Sequence, residues 1–158
     1  MILTKMVLKA ALIFMLFLGA SGCTKSAEPA EMMSVDNVAL DGYDPVSYFT
    51  SAKAAKGDPG HAHAYKGLQW HFESDENLEM FRDDPELYTP AFGGFCADAL
   101  ADGELVLSNP EYWYIHNGKL YLFEDEDAKQ EWFREISSVL PAGLAQWERL
   151  LEPAADEE

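Results

Sequence analysis

The dipeptide Asn117-Gly118 restricts the fold of this chain more than any other feature. Both residues accept positive φ angles, so Asn-Gly between two apolar segments is the strongest short-range signal for a two-residue β-hairpin turn. The flanking segments 113–116 and 119–123 are the expected strands. A turn of this length also determines which residues face each other across the hairpin. The expected pairs are Trp113 with Leu122, Tyr114 with Tyr121, and Ile115 with Leu120.

The two faces of this predicted hairpin differ in character. One face carries Trp113, Ile115, Leu120 and Leu122, which is typical of a core face. The other carries Tyr112, Tyr114, Tyr121 and Phe123. This second face is too apolar to be simply exposed to water, so we expect it to lie under a helix or to line a groove. Tyr114 and Tyr121 are therefore candidate ligand-binding residues.

A second hairpin is predicted upstream from the alternation of polarity. Leu68, Trp70 and Phe72 alternate with polar residues, the period of a strand that buries one face. The preceding segment 65–67 is typical of a turn, so residues 61–65 are the expected partner strand.

Helices are predicted from capping residues and apolar spacing. Ser74 is a suitable N-cap for a short helix that ends near Asp84, because Pro85 disfavours helical geometry there. Asp125 can cap a later helix, and Pro141 is expected near the start of the last one. Their apolar positions are Ala128, Trp132, Phe133 and Ile136, then Leu140, Leu144, Trp147 and Leu151. These two helices can cover the aromatic face, which predicts an α+β fold: a small antiparallel sheet of hairpins with short helices packed on it.

The first 22 residues have the order of an export signal. Lys5 and Lys9 begin it, the apolar run 10–20 is too short to span a bilayer, and small residues precede Cys23. With Ala20-Ser21-Gly22-Cys23 at its end, the segment resembles a bacterial lipoprotein signal. The resemblance implies cleavage before Cys23, lipidation of that residue, and anchoring to the cell envelope, at the outer membrane if one exists. The alternative is a plain secretory signal with an incidental cysteine.

The remaining chain divides into a tether, 23–37, a single domain, 38–151, and an acidic tail, 152–158. The formal net charge of the whole chain, −17, excludes nucleic acid as an expected partner, because phosphates would repel it. If Cys23 is lipidated, Cys96 has no partner for an internal disulfide, so the fold depends on its apolar core.

Several motifs of the domain occur in a fixed order. They are Gly42-Tyr43-Asp44-Pro45-Val46-Ser47-Tyr48-Phe49, Trp70-His71-Phe72-Glu73-Ser74, Asp84-Pro85-Glu86-Leu87-Tyr88 and Gly93-Gly94-Phe95-Cys96-Ala97. Together they resemble the YHS domain, and the last of them resembles its exported subgroup. Some members of that family are thought to bind metal through cysteines. Two of those cysteine positions are Ser47 and Glu73 in this chain, so the corresponding thiolates are missing.

Four residues remain as candidate ligands of copper or zinc: Cys96, His71, His61 and His63. His61 and His63 would project from the same side of a strand, a spacing that chelates either metal if a third ligand approaches. The preceding segment 58–60 instead favours a loop, in which both histidines would be solvated. Cys96 is alternatively a buried small side chain or a redox thiol.

No motif of an enzyme class is found: the chain lacks a Gly-rich phosphate loop, Gly-x-Ser-x-Gly, His-Glu-x-x-His and Cys-x-x-Cys. We therefore expect a noncatalytic, envelope-anchored protein whose domain binds a ligand, with a transition metal as first candidate. One alternative is an interaction module that presents the aromatic face around Tyr114 and Tyr121 to an envelope protein. The other is a thiol redox protein that uses Cys96.

Overall fold

The computed structural model describes residues 32–152, which form two small sheets and several short helices. The strands are β1 (Ser34–Val35), β2 (Val38–Ala39), β3 (Asp58–Tyr65), β4 (Leu68–Phe72), β5 (Asn109–His116) and β6 (Lys119–Phe123). The helices are α1 (Ser47–Thr50), α2 (Asp75–Asp83), α3 (Pro85–Tyr88), α4 (Ala97–Ala101), α5 (Glu126–Arg134) and α6 (Ile136–Leu151). This architecture confirms the predicted α+β class. None of the helices within 32–152 combines the length and the apolarity that a bilayer crossing demands.

Some residues expected to belong to the tether pack against the domain predicted from Val38. The leader 1–22, Cys23 and the acidic tail beyond residue 152 lie outside the described residues. The segment 23–37, expected to be a tether, is described from residue 32, and there it is part of the fold. Met33 is buried and its N–H donates to the Gly93 carbonyl at 2.7 Å. Residues 32–37 differ from the expectation because Met33 supplies an apolar side chain to the core.

The larger sheet has the strand order β1-β2-β4-β3, in which only β2 and β4 are parallel. Strands β3 and β4 form the predicted upstream hairpin. The segment 58–60, which favoured a loop, is instead the start of β3, and an irregularity in register lies between Asp58 and Ala62. Because β3 is an edge strand with a bulge, it accommodates a proline and a glycine.

The smaller sheet is the hairpin β5–β6, and its turn has the predicted geometry. Asn117 and Gly118 have φ angles of 49° and 75°, both in the positive range that a type I′ turn requires. The three predicted pairs are confirmed: Trp113 with Leu122, Tyr114 with Tyr121, and Ile115 with Leu120.

This hairpin separates two apolar cores, because successive residues of β6 point to opposite faces. The buried residues of the first core are Met33, Ala39, Leu40, Val46, Tyr48, Trp70, Phe72, Phe81, Tyr88, Leu120 and Leu122. Those of the second core are Phe92, Cys96, Ala97, Leu100, Tyr121, Phe123 and Trp132. Helix α5 packs on both strands of the hairpin, and α6 adds partly buried apolar residues to the second core. The aromatic face therefore lies under helices, as the sequence predicts.

The predicted caps are also confirmed. Ser74 Oγ accepts a hydrogen bond from the Asn77 N–H at 3.2 Å, and Asp125 Oδ1 accepts one from the Ala128 N–H at 2.9 Å. The expected start of the last helix is wrong, since α6 begins at Ile136 and contains Pro141. Pro141 is the sixth residue of α6 and supplies no backbone N–H, and the helix nevertheless continues through it to Leu151.

Asp44 connects the loop before α1 to the start of α2 from a fully buried position. Its Oδ1 accepts hydrogen bonds from the backbone N–H groups of Val46 and Ser47, at 2.8 and 3.4 Å. Its Oδ2 accepts from the Glu73 N–H at 2.8 Å and from Asn77 Nδ2 at 2.6 Å. The two positions at which the YHS resemblance places cysteines, Ser47 and Glu73, therefore meet at this carboxylate.

Candidate ligand groove

A groove of about 880 Å³ lies where the two cores meet, a volume within the usual range for small-molecule sites. Its apolar walls are formed by Met32, Leu68, Phe92, Tyr121, Leu144 and Trp147. Among the residues that line it, Lys66, Lys119 and Glu86 are the charged ones. The groove therefore combines apolar and aromatic surface with one cluster of charges.

Helix α6 supplies one wall because Leu144, Trp147 and Leu151 recur every three or four residues and share one helix face. Opposite Trp147 lies the 3-10 turn Ala91–Gly94, in which Gly93 has a φ of 61°. A Cβ atom at Gly93 would lie 2.9 Å from Trp147 Cη2, closer than such contacts normally occur. Glycine at this position thus permits the close packing that sets the position of Trp147.

The charged cluster forms where the tips of the two hairpins approach α3. Lys66 lies in the turn between β3 and β4, and its Nζ is 2.8 Å from Glu86 Oε1. Lys119 follows the other hairpin turn, and its Nζ donates to the Glu86 backbone carbonyl at 2.8 Å. The Tyr65 hydroxyl also donates to Glu86 Oε1. One glutamate therefore holds two lysines from different sheets.

These contacts act differently on the two lysines. The hydrogen bond to Glu86 raises the pKa of Lys66, and the same bond lowers the pKa of Glu86. Burial lowers the pKa of Lys119, because a desolvated ammonium is less stable than a hydrated one. Within residues 32–152, Lys119 forms no salt bridge. Lys119 is thus a partly buried cation that a carbonyl holds but no carboxylate neutralises directly.

The two tyrosines nominated from the sequence lie at different surfaces. Tyr121 is buried and lines the groove, and burial raises the pKa of its hydroxyl. Tyr114 lines a separate depression of about 300 Å³ beside Phe133. The fully buried Trp132 packs against both tyrosines, with ring centroids 5.1 Å from Tyr121 and 6.4 Å from Tyr114. The structure therefore does not join Tyr114 and Tyr121 in one groove.

The three candidate histidines lie on two faces of the β3–β4 hairpin. His61 Nδ1 is 2.8 Å from Asp75 Oδ1 in α2, and the His63 ring packs against Phe81 in α2. His71 is paired with Ala62, a residue of β3 that alternates with His61 and His63, and so it points away from α2. The His71 ring instead approaches Gly42. The sheet itself separates His71 from the other two histidines.

Cys96 belongs to the second core, whereas the His63 ring packs against Phe81 of the first. The side chain of Cys96 is fully buried, its N–H donates to the Val106 carbonyl at 2.9 Å, and it forms a bridge with Leu122. The described residues contain no group of three or more His, Cys, Asp or Glu side chains that could hold a metal ion. The prediction of copper or zinc at Cys96, His71, His61 and His63 thus rests on sequence alone.

Comparison with known proteins provides no relative from which a function could be inferred. No protein-family model, no curated protein and no solved structure matches this chain. The similarity to the YHS domain stays a prediction from its motifs, and the groove is the feature with the clearest chemical content.

Sequence reasoning missed Lys66, Lys119 and Glu86. A signal for the lysines was present, because each lies in or directly after a two-residue turn of a predicted hairpin. The sequence did not predict that the two lysines meet at Glu86, because no local pattern indicates that both hairpin tips approach α3.

Proposed function

We propose that this protein is a noncatalytic binding module, anchored to the cell envelope, whose groove between the two cores holds a small ligand with an apolar body. The single observation that carries the proposal is the groove itself, with aromatic and aliphatic walls and a volume of about 880 Å³. Transfer of apolar surface from water to such walls is favourable in proportion to the area buried.

The walls are suited to binding because several of their apolar side chains are incompletely covered by the protein. Leu144 is 47% exposed, and Leu151 is 42% exposed, although both belong to the helix that packs on the second core. Phe92 and Tyr121, which line the same groove, are in contact with each other, and their ring centroids are 5.6 Å apart. A ligand in the groove would bury more of the apolar surface of Leu144 and Leu151.

Envelope anchoring is supported by the order of residues 1–23, which ends on Cys23. Lipidation there would also hold an acidic chain at a membrane whose anionic headgroups repel it. The substitution Cys23→Ser is expected to move the protein from the membrane fraction to the soluble fraction. Retention of the Cys23→Ser variant at the membrane would contradict this part of the proposal.

Ligand binding is tested with N-phenyl-1-naphthylamine, a neutral apolar fluorophore, on the chain from residue 23 with Cys23→Ala. Both cores lie within residues 32–152, so this form retains both of them. We expect saturable binding of one fluorophore per chain. Leu144→Glu should weaken it about ten-fold, because it places a charge on the groove wall, a loss of about 1.4 kcal/mol.

The matched control is Leu107→Glu, since Leu107 is 63% exposed and lies outside the groove. This control should bind the fluorophore as the parent protein does. Absence of saturable binding, or equal loss in both variants, would reject the groove as the site.

A further inference from the structure

We propose that the groove takes a monocarboxylate with a long aliphatic or aromatic body, and that Lys119 binds its carboxylate. This inference rests on the proposed function and adds the class of ligand and the residue that selects it. It depends on the charges around Glu86 and on the apolar walls beside them.

The charge in the groove is opposite in sign to that of the whole chain. The chain carries 28 acidic residues against 11 basic ones, yet the charged residues lining the groove are two lysines and one glutamate. Their formal sum is 2 − 1 = +1. Asp84 is the next carboxylate, and its influence on Lys119 is smaller than that of either Glu86 or Lys66. The groove is therefore a locally cationic site in an acidic protein, which favours an anionic ligand.

The two lysines of the groove differ in their availability to an anionic ligand. Lys66 already pairs with the Glu86 carboxylate at 2.8 Å, so its charge is compensated. Lys119 Nζ donates to a backbone carbonyl, which leaves two of its three N–H donors for a ligand. Because Lys119 is partly buried, an anion beside it interacts more strongly than it would with a solvated lysine. Lys119 is thus the residue that meets the ligand's charge.

The net charge of the groove and its apolar walls together define the class of ligand. A local charge of +1 matches a monoanion. A dianion such as a phosphate monoester would leave one negative charge uncompensated, and the acidic chain as a whole would repel it. Phe92, Leu144 and Trp147 line the same groove and offer apolar surface to the ligand's body. A carboxylate attached to an apolar chain or ring satisfies both requirements.

The test is calorimetric titration of the chain from residue 23, with Cys23→Ala, against decanoate, 1-decanol and decyl phosphate. Decanoate should bind about ten-fold more tightly than the alcohol, about 1.4 kcal/mol, and more tightly than the phosphate. Raising the salt concentration should weaken decanoate binding and leave the alcohol unaffected. Lys119→Met should bring decanoate and the alcohol to within about two-fold of each other.

Lys53→Met is the matched control, because Lys53 is an exposed lysine paired with Glu73 and lies outside the groove. It should retain the preference for decanoate, and Lys119→Arg should retain part of it. If Lys119→Met does not fold, Lys119→Gln is measured in its place. Equal binding of decanoate and decanol to the parent protein would overturn the carboxylate inference and leave the groove as a binding site. Tighter binding of decyl phosphate would also overturn it, and no binding of any ligand would reject both proposals.

Discussion

Each core of this protein contains one fully buried tryptophan. The two tryptophans differ in whether the indole N–H has a hydrogen-bond acceptor. In the first core, Trp70 Nε1 donates to the Tyr65 carbonyl at 3.1 Å. In the second core, Trp132 Nε1 has no hydrogen-bond partner among the described residues. A buried donor without an acceptor destabilises a fold. The comparison indicates that the buried indole donor is satisfied in the first core and not in the second, which contributes Phe92, Tyr121 and Trp147 to the groove wall.

The polar residue Asp44 strengthens the same contrast. It accepts four hydrogen bonds at the edge of the first core and so connects α1, β4 and α2. In the second core, by contrast, the buried N–H of Trp132 has no acceptor among the described residues. The two cores therefore differ in how completely their buried polar groups are hydrogen-bonded.

The largest expected effect is that of Asp44→Ala, which leaves four donors without their acceptor. Because each unsatisfied buried donor costs about 1 to 3 kcal/mol, and neighbouring losses overlap, unfolding free energy should fall by about 3 to 5 kcal/mol. Chemical denaturation monitored by tryptophan fluorescence measures it. Asp83→Ala, at an exposed aspartate in α2, is the control and should change stability by less than about 0.5 kcal/mol. A similar small change for Asp44→Ala would show that the first core does not depend on this carboxylate.

An intermediate effect is expected for Gly93→Ala in the second core. The substitution combines a positive φ of 61° with a methyl group 2.9 Å from Trp147 Cη2, so it should cost about 2 to 3 kcal/mol. It should also weaken binding of the neutral fluorophore, because Trp147 is displaced. Gly118→Ala is the matched control, since its φ is 75° and no atom lies within 4 Å of the added carbon. That control isolates the backbone strain, at about 1 kcal/mol, and equal costs for the two variants would remove the packing argument.

The smallest expected effect compares the two tryptophans directly. Trp70→Phe removes the hydrogen bond to the Tyr65 carbonyl, whereas Trp132→Phe removes a donor that has no partner among the described residues. Both lose similar volume, so Trp70→Phe should be the more destabilising by about 1 kcal/mol. Paired thermal and chemical denaturation curves provide this difference. Were Trp132→Phe the costlier change, its N–H would have an acceptor and the contrast between the cores would disappear.

The local features of the fold were predictable because each depends on residues close together in the chain. Asn117-Gly118 determines a turn, and a two-residue turn determines the pairs across the hairpin. Ser74 and Asp125 cap their helices through side-chain oxygens that reach only three residues ahead. Boundaries were less predictable, as α6 shows, because a proline after the first turn is compatible with a continuous helix.

The candidate metal ligands could also have been tested from the sequence. Lys66-Gly67 is a two-residue turn, and its register pairs His63 with Trp70 and Ala62 with His71. That register already puts His71 on the face opposite His63. The separation of Cys96 from the histidines, in contrast, follows from the packing of a different hairpin and could not have been read from spacing.

By itself the sequence determined the two hairpins, the helix caps, the apolar alternation that produces two faces of β6, and the acidic charge of the chain. These follow from interactions between residues a few positions apart and from composition. The tertiary structure alone decided that two hairpin tips meet at Glu86, that the partly buried Lys119 forms no salt bridge within residues 32–152, and that a groove lies between α6 and Phe92. Such features depend on the distance between elements remote in the chain, and no local preference specifies that distance.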